Sequence, residues 1–73
     1  MSRRTLQSEI TGKVWKIEAA PGDRIGEDST ILILESMKME IPILAPIDCT
    51  LIELLVEEGE AVKEGQAVAI IEE

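Results

Sequence analysis

Ile31-Leu32-Ile33-Leu34-Glu35-Ser36-Met37-Lys38-Met39-Glu40-Ile41-Pro42-Ile43-Leu44 is two apolar runs separated by six polar-leaning residues. Runs of this length and composition read as strands, and the segment between them is where a β-hairpin would reverse. A lysine at such a tip has its amine in water while two strands hold its backbone. The stretch therefore predicts a presented lysine, Lys38, on a β scaffold.

Outward from the hairpin, the chain repeats itself at an offset of 37 residues. Gly22-Asp23-Arg24-Ile25-Gly26-Glu27-Asp28 aligns with Gly59-Glu60-Ala61-Val62-Lys63-Glu64-Gly65, and Ile31, Ile33, Leu34 and Glu35 align with Val68, Ile70, Ile71 and Glu72. Upstream, Val14, Ile17 and Ala19 align with Leu51, Leu54 and Val56. Each half orders a strand, a Gly-acidic turn, a short apolar pair, another turn and an apolar strand ending in Glu. The apolar positions 14, 17 and 19 break the strict alternation of a half-buried strand at one step, and 51, 54 and 56 break it identically. A bulge is expected at both places. Gly22 and Gly59 sit where a positive φ is cheap, and Asp28, standing where the second half has Gly65, is among the residues that tolerate that conformation.

No segment has a convincing helical period, and Gly or Pro cuts the chain at short intervals. The expectation is an all-β fold: a flattened barrel-sandwich of two four-stranded antiparallel sheets related by an internal pseudo-twofold repeat. Residues 1–5 are expected to be a flexible N-terminus, and 6–73 the domain.

Composition narrows the function. With 73 residues the chain is one domain near the lower size limit for folding without metal or disulfide help. A single cysteine, Cys49, cannot form an internal bridge, and without histidine the usual zinc site cannot be assembled. The core must come from Ile, Leu, Val and Ala, because Trp15 is the lone aromatic residue. Cys49 and Trp15 read as packing residues. A net charge of −8 repels nucleic acid and anionic membrane at long range, so neither is expected as a partner. No stretch has the length of a signal peptide's apolar core or of a membrane span, and the expected location is cytoplasmic.

Glu35-Ser36-Met37-Lys38-Met39 resembles the attachment motif of the biotinyl domains of biotin-dependent carboxylases, within the biotinyl/lipoyl attachment family. The resemblance runs from about Leu6 to Glu73 and includes the Gly-Asp turn and Ala45-Pro46; it is closest to the thumbless, free-standing small biotin carboxyl carrier proteins. Two departures are a cysteine at position 49, where glycine is expected, and the missing "thumb" insertion. The resemblance implies the barrel-sandwich fold and covalent biotin on Lys38, with Glu35, Ser36, Met37, Met39 and Glu40 as the motif that a biotin protein ligase recognises. It further implies a non-catalytic carrier whose tethered biotin shuttles carboxyl from a biotin carboxylase to a carboxyltransferase, foremost that of an acetyl-CoA or other acyl-CoA carboxylase. Tethering would raise the local concentration of the carried group to the order of millimolar.

The residues themselves agree with a passive role. A lysine amine in water, with a pKa of about 10.4, is a poor nucleophile at neutral pH, so activation must come from another protein. Ser36 lies two residues from Lys38 and, were the segment extended, would share its side, but a Ser-Lys dyad needs a closed pocket and an oxyanion hole that a hairpin tip does not supply. Period-2 geometry puts Met37 and Met39 on one side, where a tip offers little core to fill. Two other functions compete. A lipoyl carrier, or dual attachment, uses the same fold, although lipoyl domains usually have Asp before the lysine and often Ala after it. An unmodified β-scaffold docking module would tolerate Lys38→Arg, which either carrier would not.

Overall fold

The computed structural model describes residues 2–73 and contains eight strands and no helix. They are β1 (Arg3–Gln7), β2 (Gly12–Ile17), β3 (Arg24–Ile25), β4 (Thr30–Ser36), β5 (Met39–Leu44), β6 (Cys49–Leu54), β7 (Ala61–Val62) and β8 (Ala67–Glu72). Two four-stranded antiparallel sheets, ordered β1-β8-β6-β3 and β5-β4-β2-β7, make the sandwich. Adding 37 to the residue numbers of β1 to β4 gives β5 to β8 within a residue, and the same shift turns one sheet order into the other. The pseudo-twofold therefore exchanges the sheets, and it includes β1 and β5, which the sequence repeat does not display.

The repeat extends to individual hydrogen bonds. Gly22 N donates to Leu51 O and Gly59 N to Val14 O, both at 2.7 Å. Asp28 N donates to Ala45 O at 2.8 Å, as Gly65 N does to Ser8 O at 2.7 Å. Asp28 (φ 68) and Gly65 (φ 86) share the left-handed conformation expected of them. Both predicted bulges exist: the β2–β4 register skips between Val14 and Lys16, and the β6–β8 register between Leu51 and Glu53. A second equivalent pair of skips, at Ile31 and Val68, explains why β4 and β8 each bury two consecutive residues.

Between the sheets lies one aliphatic core: Val14, Ile31, Leu32, Leu34, Leu51, Val68 and Ile71 are at most 1% exposed, with Cys49 and Ala69 fully buried beside them. Full burial of one such aliphatic side chain contributes about 1.5–3 kcal/mol, and no disulfide or metal cluster supplements the core among the described residues. Among the described residues no helix is long and apolar enough to cross a membrane.

Two expectations need correction. Residues 3–5 are not a flexible tail: Arg3, Arg4 and Thr5 pair with Glu72, Ile71 and Ile70 at the edge of a sheet, and Arg3 Nε contacts Glu72 Oε1 at 3.2 Å. Met1 lies outside the described residues. Trp15 does not fill the core: it is the extra residue of the β2 bulge, follows the inward-facing Val14 and so points outward by strand alternation, and is 48% exposed. Cys49, read as a packing residue, opens β6 and is fully buried.

Candidate functional site

The hairpin between β4 and β5 is tighter than its sequence suggests. Glu35 pairs with Glu40 and Ser36 with Met39, leaving only Met37 and Lys38 in the turn. Both have positive φ, 50 and 67, the signature of a type I′ turn. That turn matches the right-handed twist of the flanking strands, but it is normally built from Asn or Gly. Here two long side chains occupy it, each at a cost of about 1–2 kcal/mol relative to glycine-like freedom. The chain therefore cannot be extended from Ser36 to Lys38, and a shared face for these two side chains is ruled out. Nor does strand alternation relate Met37 to Met39, because the first is a turn residue and the second begins β5.

What the turn achieves is projection. Lys38 is exposed at the apex and forms no ion pair with any described residue. Met37 is 92% exposed and Met39 63%, so neither fills core. Immediately behind them Glu35 and Glu40 face each other across the ladder, both exposed. Like charges directly opposite destabilise a sheet, but Lys13 of β2 stands opposite Glu35 on its other side. The base of the tip is fixed by Ser36, whose Oγ donates to Thr11 O at 3.0 Å. Thr11 Oγ1 in turn accepts from Glu64 N at 3.2 Å.

Gly12 permits this closeness. A Cβ there would lie 2.6 Å from Glu35 O and 3.4 Å from Ser36 Cβ. Thr11 and Gly12 are the site residues that the sequence reading misses. Their signal was available in the repeat, which places Thr11 opposite Asp48 and Gly12 opposite Cys49 at the start of equivalent strands.

Chemically, the site offers one primary amine, no base and no enclosing pocket. Such an amine can receive an acyl group from a second protein, forming an amide and removing a positive charge from between two carboxylates. An exposed apex with no competing contact fits covalent attachment of a prosthetic acid. Ser36 is engaged with backbone and has no place in a catalytic dyad.

Comparison with known proteins agrees. Residues 6–72 match the Biotin_lipoyl family, described as "Biotin-requiring enzyme". A "Biotinylated protein TB7.3 homolog" of Mycobacterium leprae is 35% identical over 66 residues, covering 90% of this chain and 93% of that protein. A "Biotin/lipoyl attachment protein" of Bacillus subtilis is 39% identical over 64 residues, covering 88% of each. Among solved structures, the urea carboxylase of Kluyveromyces lactis superposes with a TM-score of 0.90 at 34% identity over 97% of this chain, which spans 6% of that carboxylase. With the two-sheet architecture and the presented lysine, these matches establish that the chain belongs to the biotin/lipoyl attachment family and is a carrier domain similar to those of biotin-dependent carboxylases.

Proposed function

We propose that the chain is a biotin carboxyl carrier in which Lys38 Nζ forms an amide with biotin, delivered as an activated acyl group by a biotin protein ligase. The observation that carries this reading is the two-residue turn, which sets Lys38 at the apex between two exposed methionines. Biotin held on Lys38 would supply a ureido nitrogen able to accept carboxyl at a biotin carboxylase and release it at a carboxyltransferase. The chain's own residues do the rest. The sandwich holds the apex away from the body; Met37 and Met39 offer soft apolar contact to whatever receives the tip. Glu35 and Glu40 are left as an acidic rim once acylation removes the lysine charge.

We further assign the carrier to a carboxylase of the acyl-CoA class in the cytoplasm; the acyl-CoA part of that reading is supported by the alpha subunit of the methylcrotonoyl-CoA carboxylase of Dictyostelium discoideum, 34% identical over 67 residues. A second reading is attachment of lipoate to the same lysine, favoured by the Bacillus subtilis relative named for both groups. Intact-mass measurement of the protein from its native cells, with mapping of the peptide holding Lys38, tests both. A biotin increment on Lys38, absent from Lys38→Arg, is the expected result. A lipoyl increment supports the second reading, and an unmodified chain from biotin-replete cells overturns both in favour of a docking module.

A further inference from the structure

The hydrogen bonds beneath the tip are of two kinds when compared across the pseudo-twofold. Glu64 N to Thr11 Oγ1 has an equivalent in Glu27 N to Asp48 Oδ1, at 2.8 Å. It belongs to the repeated architecture. Ser36 Oγ to Thr11 O has none: the equivalent of Ser36 is Glu73, whose side chain forms no hydrogen bond to Asp48 or its neighbours. The fold thus does not demand this contact, and it occurs only beneath the lysine turn. That turn is also where the backbone is least content, with two consecutive non-glycine residues at positive φ.

We propose that Ser36 and Thr11 form a brace that holds the Met37-Lys38 turn in its type I′ conformation, making them positioning residues for acylation of Lys38. This rests on Lys38 being the acylated residue. The brace runs from the β7–β8 turn, through the Thr11 hydroxyl, to the Thr11 carbonyl and so to the Ser36 hydroxyl at the root of the hairpin. Gly12 lets the two segments meet closely enough for the last bond to form. Without the brace, the unfavourable turn exchanges with other tip geometries, and a ligase that accepts one geometry meets it less often. The apparent KM for the carrier then rises by the inverse of the competent fraction, while turnover at saturation is unchanged. One net hydrogen bond corresponds to a change of roughly fivefold.

The test compares the full-length chain with Ser36→Ala, Thr11→Val, the double variant and Ser36→Thr. Each is assayed for initial biotinylation by a biotin protein ligase with biotin and ATP, well below its melting temperature. Alongside, 15N relaxation and three-bond HN–Hα couplings are recorded at residues 37 and 38 of the unmodified proteins. The expected results are a roughly threefold to tenfold rise in KM for Ser36→Ala at constant kcat, restoration by Ser36→Thr, and a double variant no worse than the worse single. Increased tip mobility should accompany the loss. Unchanged tip relaxation and coupling in Ser36→Ala overturn the brace, as does an unchanged KM with wild-type Lys38 normally biotinylated. If the wild-type chain folds but Lys38 is not acylated, it is the carrier reading that fails, and the relaxation data still decide whether the brace orders the turn.

Discussion

Replacing Gly12 by alanine should destabilise the domain through one contact. The new Cβ would stand 2.6 Å from the carbonyl oxygen of Glu35, where about 3.4 Å is the nearest comfortable approach, so a gap of about 0.8 Å must open. Neither side yields easily. Gly12 pairs with Val62 of β7 on its far edge, which keeps β2 from retreating, and Glu35 is held in β4 between Lys13 and Glu40. Overpacking of this kind costs about 1–3 kcal/mol, while removal of glycine's unfolded-state entropy returns about 0.4–1 kcal/mol. The difference spans about 0–2.6 kcal/mol and centres on about 1.3 kcal/mol, and for a domain of this size the central value lowers Tm by about 5–10 °C. At Cys49, the repeat equivalent, a buried side chain is already housed, so there the ranking inverts: Cys49→Gly should melt below Cys49→Ala. Thermal unfolding by circular dichroism, backed by urea titration, reads both. A Gly12→Ala melt within about 2 °C of wild type would refute the assignment of Gly12 as a close-approach residue.

Two further outcomes concern the lysine turn and the buried thiol. Met37→Asn replaces a side chain at φ 50 by one that accepts the left-handed region, and should raise stability by about 0.5–1 kcal/mol in urea unfolding; a loss of stability would contradict the turn geometry. Burial pushes the Cys49 thiol up, with Arg24 opposing and Asp48 reinforcing the shift, so the folded state holds its proton to higher pH than the unfolded chain does. Its contribution to stability is therefore complete below the ordinary thiol pKa of about 8.5 and declines as pH rises beyond it. Reaction with an aromatic disulfide reagent at pH 8 should be slow in native protein and immediate in urea, and rapid native labelling would refute the burial.

The sequence carried the architecture because the architecture is repeated. Each broken alternation, 14-17-19 and 51-54-56, appeared twice, so chance patterns were filtered out, and the left-handed role of Asp28 could be read from Gly65. β1 escaped because it is an edge strand packing chiefly through Leu6; Arg3, Arg4 and Thr5 face solvent, and nothing in such a segment alternates. The tip was expected to span six residues because its turn lacks the Asn or Gly that marks a two-residue loop. Trp15 was read as a packing residue on its type, although its place next to the inward-facing Val14 already turns it outward; the predicted bulge is what returns Ile17 and Ala19 to the inner face. The Ser36 brace joins residues 25 apart through a backbone carbonyl, an acceptor that no residue type announces.

One consequence of the exchange of sheets concerns leverage. The pairing of Ser36 with Met39 at the lysine turn corresponds, 37 residues away, to the bond from Glu73 N to Ser2 O at 3.1 Å, so the chain's ends meet where the other half has its apex. The turn before β8 meets Thr11, beneath the lysine, through Glu64, and β8 then runs for six residues, about 20 Å, before reaching that junction. Any sequence joined at either end therefore grips the domain by its heel. A pivot there would sweep the lysine through an arc whose radius includes the length of the domain body as well as that of the side chain and its cargo.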